Sequence, residues 1–405
     1  MKPILPRVWN SVRVRLDRKV LVPFRTQSTA RRARQHWANA PAEQYRQVQE
    51  KTLAFVQLLR SPSNAWGPFS YHLGGPPLLY ASCYAALTMH LCGSLQRLDS
   101  AARTGWAEYI RSFQGTDGLF RDPTIDCPLA ETCDWWGWRH LTLHALMALS
   151  ALGARAEHDF ALLNSFRESG AISRWLESRN WVVDTCGVSN EVQNIGTLMQ
   201  YARDQLGQPE WEAVLTELYQ WLDEHQDPQS GLWGPRFDSA KDLSLGIQSA
   251  YHFWMLYFYD RRPVRHAEAA LASCLRSQTT CGGFGFTVNT SACEDIDSID
   301  PIARLKPTGE QPAVRQAALH SLPWVLAHQN EDGGWVFRRH EKFAYGHPLM
   351  TSAPDQSAMF PTWFRLLSLA YLACILPDHP VARLEWRFLE SPGHQFWQGG
   401  NLHRG

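Results

Sequence analysis

Asp295, Asp297 and Asp300 fall within six residues of one another in the run CEDIDSIDP. Carboxyls held this close cannot all ionise cheaply, so one keeps its proton at neutral pH and can serve as an acid. Protonating a carbon–carbon double bond needs such an acid. The carbocation it creates must then be shielded from water and faced by aromatic rings. Rings are abundant, with 18 Trp, 18 Phe and 12 Tyr in 405 residues, enough for stacked structure, an aromatic-lined cavity, or both. Asp-x-Asp in isolation also fits a magnesium–diphosphate ligand. Two carboxyls across a groove, Asp134 or Glu191 with Asp297, fit the acid and base of carbohydrate cleavage. His140 and His144 sit one helical turn apart, as metal-binding pairs do, but have no carboxylate partner nearby in sequence, so no metal site is expected there.

These residues need a scaffold, and from about residue 41 the pattern is helical. YASCYAALTMHLCG (80–93), WGWRHLTLHALMALSALG (136–153), VSNEVQNIGTLMQYARDQLG (188–207), LGIQSAYHFWMLYFYD (245–260) and FPTWFRLLSLAYLACIL (360–376) are its clearest segments. Nothing alternates long enough for a sheet, so the core is all-α. Four turns share one pattern: QGTDGLF (114–120), QDPQSGLW (226–233), QTTCGGF (278–284) and QNEDGGW (329–335). Their glutamines are 112, 52 and 51 residues apart, so the first gap holds two units. SPSNAWGPF (61–69) and LESRNWVV (176–183) fill the remaining places as degenerate copies. Six helical hairpins result, which close most simply into a toroid with inner helices around a central cavity.

Inner helices then begin just after each turn, with their first residues at the cavity mouth. That places Asp134, Trp135, Trp136, Trp138 and His140 there on the second. Glu191 and Gln193 follow on the third, Gln248, Tyr251 and His252 on the fourth, and Asp355 and Gln356 before the sixth. The plainer reading is that aromatic residues at helical spacing fill the core, while Asp134, and Asn190 with Glu191, cap helices. Asp300 before Pro301 reads as an N-cap followed by proline at the first helical position. Asp295 and Asp297 would then lie in the loop above that start.

The chain balances 39 basic against 39 acidic residues, which argues against a nucleic-acid partner. The balance conceals an arm, residues 1–34, with ten Lys/Arg against Asp17 alone. Ile4, Leu5, Val8, Trp9, Val12, Leu16 and Val20 give it an apolar face, so it reads as a membrane-surface anchor or as a solvated arm, and its alternation at 12–16 fits a strand equally well. Nine cysteines without a CxxC pair fit neither a disulfide scaffold nor a zinc ribbon, and point to a reducing cytoplasm. No apolar stretch is long enough to span a membrane, and no secretory signal is expected. The chain divides into a basic arm (1–40), a toroid (41–380) and a tail (381–405).

The turns resemble the QW repeats of squalene–hopene and oxidosqualene cyclases, and the related toroid of protein prenyltransferase β subunits. The best match is L-x3-Q-x4-G-x-W from Leu222 to Trp233, and the likeness covers about residues 50–376. In the cyclases a GGW-type turn precedes an Asp-x-Asp-Asp motif that begins an inner helix; Asp295-Ile296-Asp297-Ser298 stands there, and SAMFPTWFRLLSLAYL (357–372) looks like the final inner helix. The resemblance implies Asp297 as proton donor, Asp295 as its neighbour and Ser298 in place of the last aspartate, a role Asp300 could take. Trp136, Trp254, Phe284 and Phe360 would stabilise cations. It implies an acid-initiated, class II terpene-cyclase-like isomerase acting on an isoprenoid without metal or organic cofactor, cytoplasmic or peripheral to a membrane. Two departures matter. The chain has room for one toroid where olefin-protonating cyclases place the site between two helical domains. Prenyltransferases are single toroids but hold zinc through an Asp-x-Cys pair and a later His, and Asp297 and Pro361 occupy those Cys and His positions here. A carbohydrate-active toroid and a non-catalytic scaffold are the alternatives.

Overall fold

The computed structural model describes residues 21–62, 66–235, 237–305 and 312–397. The first twenty residues of the basic arm, Trp9 among them, and residues 398–405 lie outside these. A first helix, α1 (Val22–Trp37), precedes the hairpins. Outer and inner helices then alternate: α2 (Ala42–Leu58) and α3 (Leu79–Leu91), α4 (Ser100–Arg111) and α5 (Trp138–Ala151), α6 (Ala171–Glu177) and α7 (Thr185–Gln205). The second half follows suit with α8 (Trp211–His225) and α9 (Ala240–Tyr259), α10 (Ala267–Arg276) and α11 (Ala292–Arg304), α12 (Pro312–Leu326) and α13 (Met359–Ile375). Each inner helix packs on the next and α13 packs back on α3, closing the ring. The fold is an all-α (α/α)6 toroid. Burial separates the two layers: α3 buries every residue but His90, whereas α4 buries only Trp106, Ala107 and Ile110.

The repeated turns are the stitches between hairpins. In each, the glutamine amide donates to its own turn's glycine carbonyl; Gln278 Nε2, 3.1 Å from Gly282 O, also reaches the next outer helix at Ala317 O, 2.8 Å. Gln329 does the same with Gly333 O at 3.1 Å and Val48 O at 3.0 Å, tying the last turn to the first outer helix. Gly282 has a left-handed φ of +107°, and a Cβ on it would lie 2.3 Å from the His320 carbonyl oxygen, so only glycine fits. The first degenerate copy keeps the strand-like pairing, Arg60 with Phe69. The second keeps only its tryptophan, Trp181, packed on Trp221.

The start of α11 differs from the expectation. Ser291 is its N-cap, in a capping box with Glu294, and Pro301 lies inside the helix. Asp295 and Asp297 are therefore helical residues in and just past its first turn. Asp300 caps nothing. Pro301 has no N–H for the Asp297 carbonyl, an irregularity placed within the carboxylate run.

Residues 381–397, set apart as a tail in the sequence, cover the end of the ring opposite the turns. Arg387 N–H donates to Leu91 O at 2.9 Å, Gln395 Nε2 to Leu87 O at 3.1 Å, and Arg304 Nη2 to Phe396 O at 2.6 Å. Trp386, Leu389, His394, Gln395 and Phe396 are buried. At the other terminus, α1 packs along α12.

Candidate functional site

Four carboxyls of α11 are buried together, and three of them have their own arginine. Glu294 pairs with Arg338 at 2.6 Å, Asp295 with Arg365 and Asp300 with Arg304. Asp295 and Arg365 are both completely buried; Arg365 also donates to Phe337 O at 2.8 Å and Thr290 O at 3.1 Å. Asp295 accepts the backbone N–H of Phe284 at 2.8 Å. Burial pushes the Asp295 and Asp300 carboxyls up, while Arg365 and Arg304 respectively hold them down. Asp297 is different: among the described residues its carboxyl has no hydrogen-bond or ion-pair partner. Burial first, then the charges of Glu294, Asp295 and Asp300, raise its pKa well above the ordinary carboxylate value. Protonated Asp297 leaves three negative and three positive groups, so the neutral acid is the charge-balanced state. Ser298, in the place of a further aspartate, is 3.5 Å from Ser277 Oγ.

Within the ring, aromatic and imidazole groups form a continuous wall. Tyr345 stacks on Phe360 at 4.6 Å, Tyr84 on Trp363 at 5.1 Å, and Phe360 meets Phe364 at 4.9 Å. His140 accompanies His144 at 4.4 Å, and His144 stacks on His394 of the C-terminal segment at 5.7 Å. Tyr80 Oη is 2.7 Å from His140 Nδ1. Burial keeps His140 and His394 well below the usual imidazole value and takes His144 down to about 4, so all three are neutral at pH 7. Tyr251 reaches from α9 to Asp300 at 3.2 Å and lies 5.9 Å, centroid to centroid, from His394.

The mouth opens on a cleft of about 830 Å³ lined by Asp134, Trp135, Arg139, Arg179, Cys186 and Glu191, among others. Asp134 is tied to Arg139 at 2.6 Å and Glu191 to Arg179 at 3.4 Å. Burial, then the Asp134 charge, raises the Glu191 pKa against Arg179 and Arg139. The Cys186 thiol is pushed up to about 11 by burial, then by the charges of Asp297 and Asp184.

Some expected site residues converge and others do not. Phe360 and His140 belong to the wall, and Trp135 to the cleft. Trp136 is wedged against the 343–350 loop, where a Cβ on Gly346 would meet its ring at 2.2 Å. Trp138 is a buried first residue of α5. Gln193 lies 3.3 Å from His394, His252 is bonded to Ser189 at 2.9 Å, and Gln248 bonds only within its own helix. Trp254 is wholly buried against Trp233, away from the ring's interior, because it shares an α9 face with Phe253 and Tyr257. Phe284 is likewise a buried turn residue, whose contribution is its N–H on Asp295. Asp355 lies at the rim, bonded to His340 at 3.0 Å. Among the described residues no group of three or more His, Cys, Asp or Glu is placed to hold a metal ion.

Sequence reasoning missed Arg365, Arg338, Arg304, Trp363 and His394. Arg365 had a signal, as a lone charge in the apolar run MFPTWFRLLSLAYLACI, since arginine inside such a helix must be paired.

No protein-family model matches the chain, and no curated protein matches it. Among solved structures it is similar to an ent-copalyl diphosphate synthase from Streptomyces platensis, at 17% identity and a TM-score of 0.42, over 75% of this chain and 52% of that one. The chain thus spans about half the length of that synthase. It is also similar to an unsaturated glucuronyl hydrolase from Streptococcus agalactiae, at 10% identity and a TM-score of 0.47, over 83% of this chain and 91% of that one. A GH76 α-mannanase from Bacteroides thetaiotaomicron gives 12% identity and a TM-score of 0.47, over 82% and 95% of the two chains. Such distant likenesses do not decide between the activities these names state.

Proposed function

We propose that the chain is an acid-initiated cyclase or isomerase of an isoprenoid substrate, with Asp297 as the proton donor. The observation that carries this reading is the buried Asp297 carboxyl, unpartnered among the described residues, amid three arginine-paired carboxylates, with its pKa raised by burial and by those charges. Its proton passes to one carbon of a double bond, making a C–H bond and leaving a carbocation on the other carbon. Faces of Phe360, Tyr84 and Trp363 stabilise that charge by their quadrupoles. After ring closure a C–H proton leaves to a base, and the neutral imidazoles of His140, His144 and His394 are the bases the wall offers. Product and substrate are then isomers; the imidazolium gives its proton up and Asp297 takes one back, which restores both groups. Asp295 positions the donor by fixing the start of α11 to the turn and to Arg365. An isoprenoid is the substrate class whose cyclisation needs an acid beside aromatic rings, away from water.

Asp297→Asn keeps shape and neutrality and removes the transferable proton. Incubated with a panel of polyprenyl substrates, the wild type should give isomeric products, and the variant should lose at least about 100-fold in rate, the usual scale of general acid catalysis. Full turnover by a folded Asp297→Asn protein would remove Asp297 from the chemistry. A second reading, a carbohydrate-active toroid, draws on the polar cleft with Trp135 and the raised Glu191 at its edge. Turnover of oligosaccharides, abolished by Glu191→Gln, would select it.

A further inference from the structure

In this closed form nothing of isoprenoid size reaches the acid or the wall. Asp297, Tyr84, His144, Phe360, Trp363 and Phe364 are each 5% exposed or less. Part of their covering must therefore move. Besides the helices, two segments bring rings to the wall: residues 340–355 with Tyr345, and the C-terminal covering with His394. The second is bonded to five inner helices. Gln395 bonds to Leu87 O and Trp363 Nε1, Arg304 to Phe396 O, Gln193 to His394, and the His394 N–H to Met147 Sδ. Residues 342–354 are held more loosely. Among the described residues their hydrogen bonds to helices pass through Tyr345 Oη alone, 3.1 Å from Tyr84 Oη and 3.4 Å from His140 Nδ1. The rest of their hold is packing, Phe343 on Phe337 at 3.7 Å and buried Met350. Their own pairing, Phe343 with Ser352 and Ala344 with Thr351, keeps them one body.

The ends of this segment are unusual. Of three non-glycine residues with left-handed backbone among the described ones, two stand there, His340 at φ 63° and Asp355 at φ 56°. They are bonded to each other, the His340 N–H to Asp355 Oδ1 and Nδ1 to Oδ2, both at 3.0 Å. Around them the chain is fixed to the sixth turn. Arg339 donates to Gln329 O at 2.8 Å, and Asn330 Nδ2 to Asp355 O at 2.8 Å. Strained residues between a fixed frame and a loosely held body are where a hinge absorbs its rotation. Tyr345 also stands where a passage would run. Its ring meets Trp135 of the cleft at 5.8 Å, centroid to centroid, and stacks on Phe360 of the wall at 4.6 Å.

We propose that residues 341–354 are a gate hinged at His340 and Asp355, with Tyr345 as its bolt, through which a ligand passes from the cleft to the wall. This rests on the reading that the chemistry lies at the wall, and adds the way in. The test labels the interior without any substrate. Diethyl pyrocarbonate reacts with neutral imidazoles, and His144 is neutral, 1% exposed and bonded to His140 O rather than to the gate. Gly346→Ala should open the gate, because its Cβ would lie 2.2 Å from the Trp136 ring, at a φ of +70°. Asp355→Ala removes the clamp between the hinges. In mass spectrometry of peptides from the labelled full chain, each should raise the His144 rate by about tenfold or more, the scale of a strained alanine or a lost clamp. Exposed His36 should react at the wild-type rate in both. Gln395→Ala, at the covered end, should leave His144 at the wild-type rate. Circular dichroism checks that each variant is folded. An unchanged His144 rate in folded Gly346→Ala and Asp355→Ala overturns the proposal. So does a larger rise in Gln395→Ala, which would put the way in at the covered end. Neither outcome touches the Asp297→Asn measurement, so gate and acid stand or fall separately.

Discussion

Asp295 and Asp297 are two residues apart on one helix and are treated in opposite ways. Asp295 directs one oxygen to the Phe284 N–H and the other to Arg365, so both lone-pair sets are fixed. Asp297 has three neighbouring negative charges and no cation of its own. The consequence can be read without substrate. Between the ordinary carboxyl pKa, about 4, and the raised value of Asp297, the folded chain holds a proton that the unfolded chain has released. Unfolding in that window releases a proton, so stability falls as pH rises through it. The contribution is complete below the ordinary value and lost above the raised one. Asp295 and Asp300 are shifted upward too and slope the same way, so Asp297 must be isolated by difference. From about pH 5 to about pH 8, the melting temperature of the wild type minus that of Asp297→Asn should fall steadily. Parallel curves would mean that Asp297 is ionised in the fold without cost.

The turn and the helix after it form one unit, and the acid site is a modification of that unit. Phe120 N–H donates to Thr142 Oγ1 at 2.9 Å and Trp335 N–H to Thr362 Oγ1 at 3.1 Å, each acceptor lying early in the following inner helix. In the fifth turn the same donor, Phe284 N–H, meets Asp295. A neutral anchoring residue has been replaced by a carboxylate, and Arg365 answers its charge. Elsewhere the turn is structural, and this sets the expected effect of Gln329→Ala. It removes donors to Val48 O, Thr52 Oγ1 and Gly333 O where the ring closes, and should lower stability by about 1–3 kcal/mol in urea denaturation. An unchanged midpoint would show that packing alone closes the ring. These turns were legible because glutamine, glycine and aromatic each have a separate local duty at fixed spacing. The start of α11 was misread because Asp300-Pro301 imitates a helix start, although Ser291-x-x-Glu294 offered the stronger capping signature. Arg365 was passed over because its partner lies 70 residues away and no local pattern announces a cross-ring ion pair.

At the scale of the molecule, the ring has two different ends. The turn end carries the cleft, and the far end is covered by residues after α13. That covering segment has no periodicity, since it follows the ends of inner helices rather than a helix or strand of its own, and the sequence therefore reads as a tail. Its energetics are those of a core. Phe396 is 1% exposed, packs edge-on to Tyr259 at 5.5 Å, and lies 4.3 Å beneath the Arg304 guanidinium, the same group that pairs with Asp300. Phe396→Ala should thus cost about 3 kcal/mol or more in urea denaturation, as truncation of a buried aromatic does, whereas the same change in a solvated tail stays within about 0.5 kcal/mol. Because Arg304 is held by Phe396 on one side and Asp300 on the other, the loss should also reach the acid cluster. A freed Arg304 compensates Asp300 less closely, which leaves more negative charge near Asp297 and moves its pKa further up. The pH slope assigned to Asp297 would then extend to higher pH in Phe396→Ala than in the wild type, linking the closed end of the ring to the acid through one arginine.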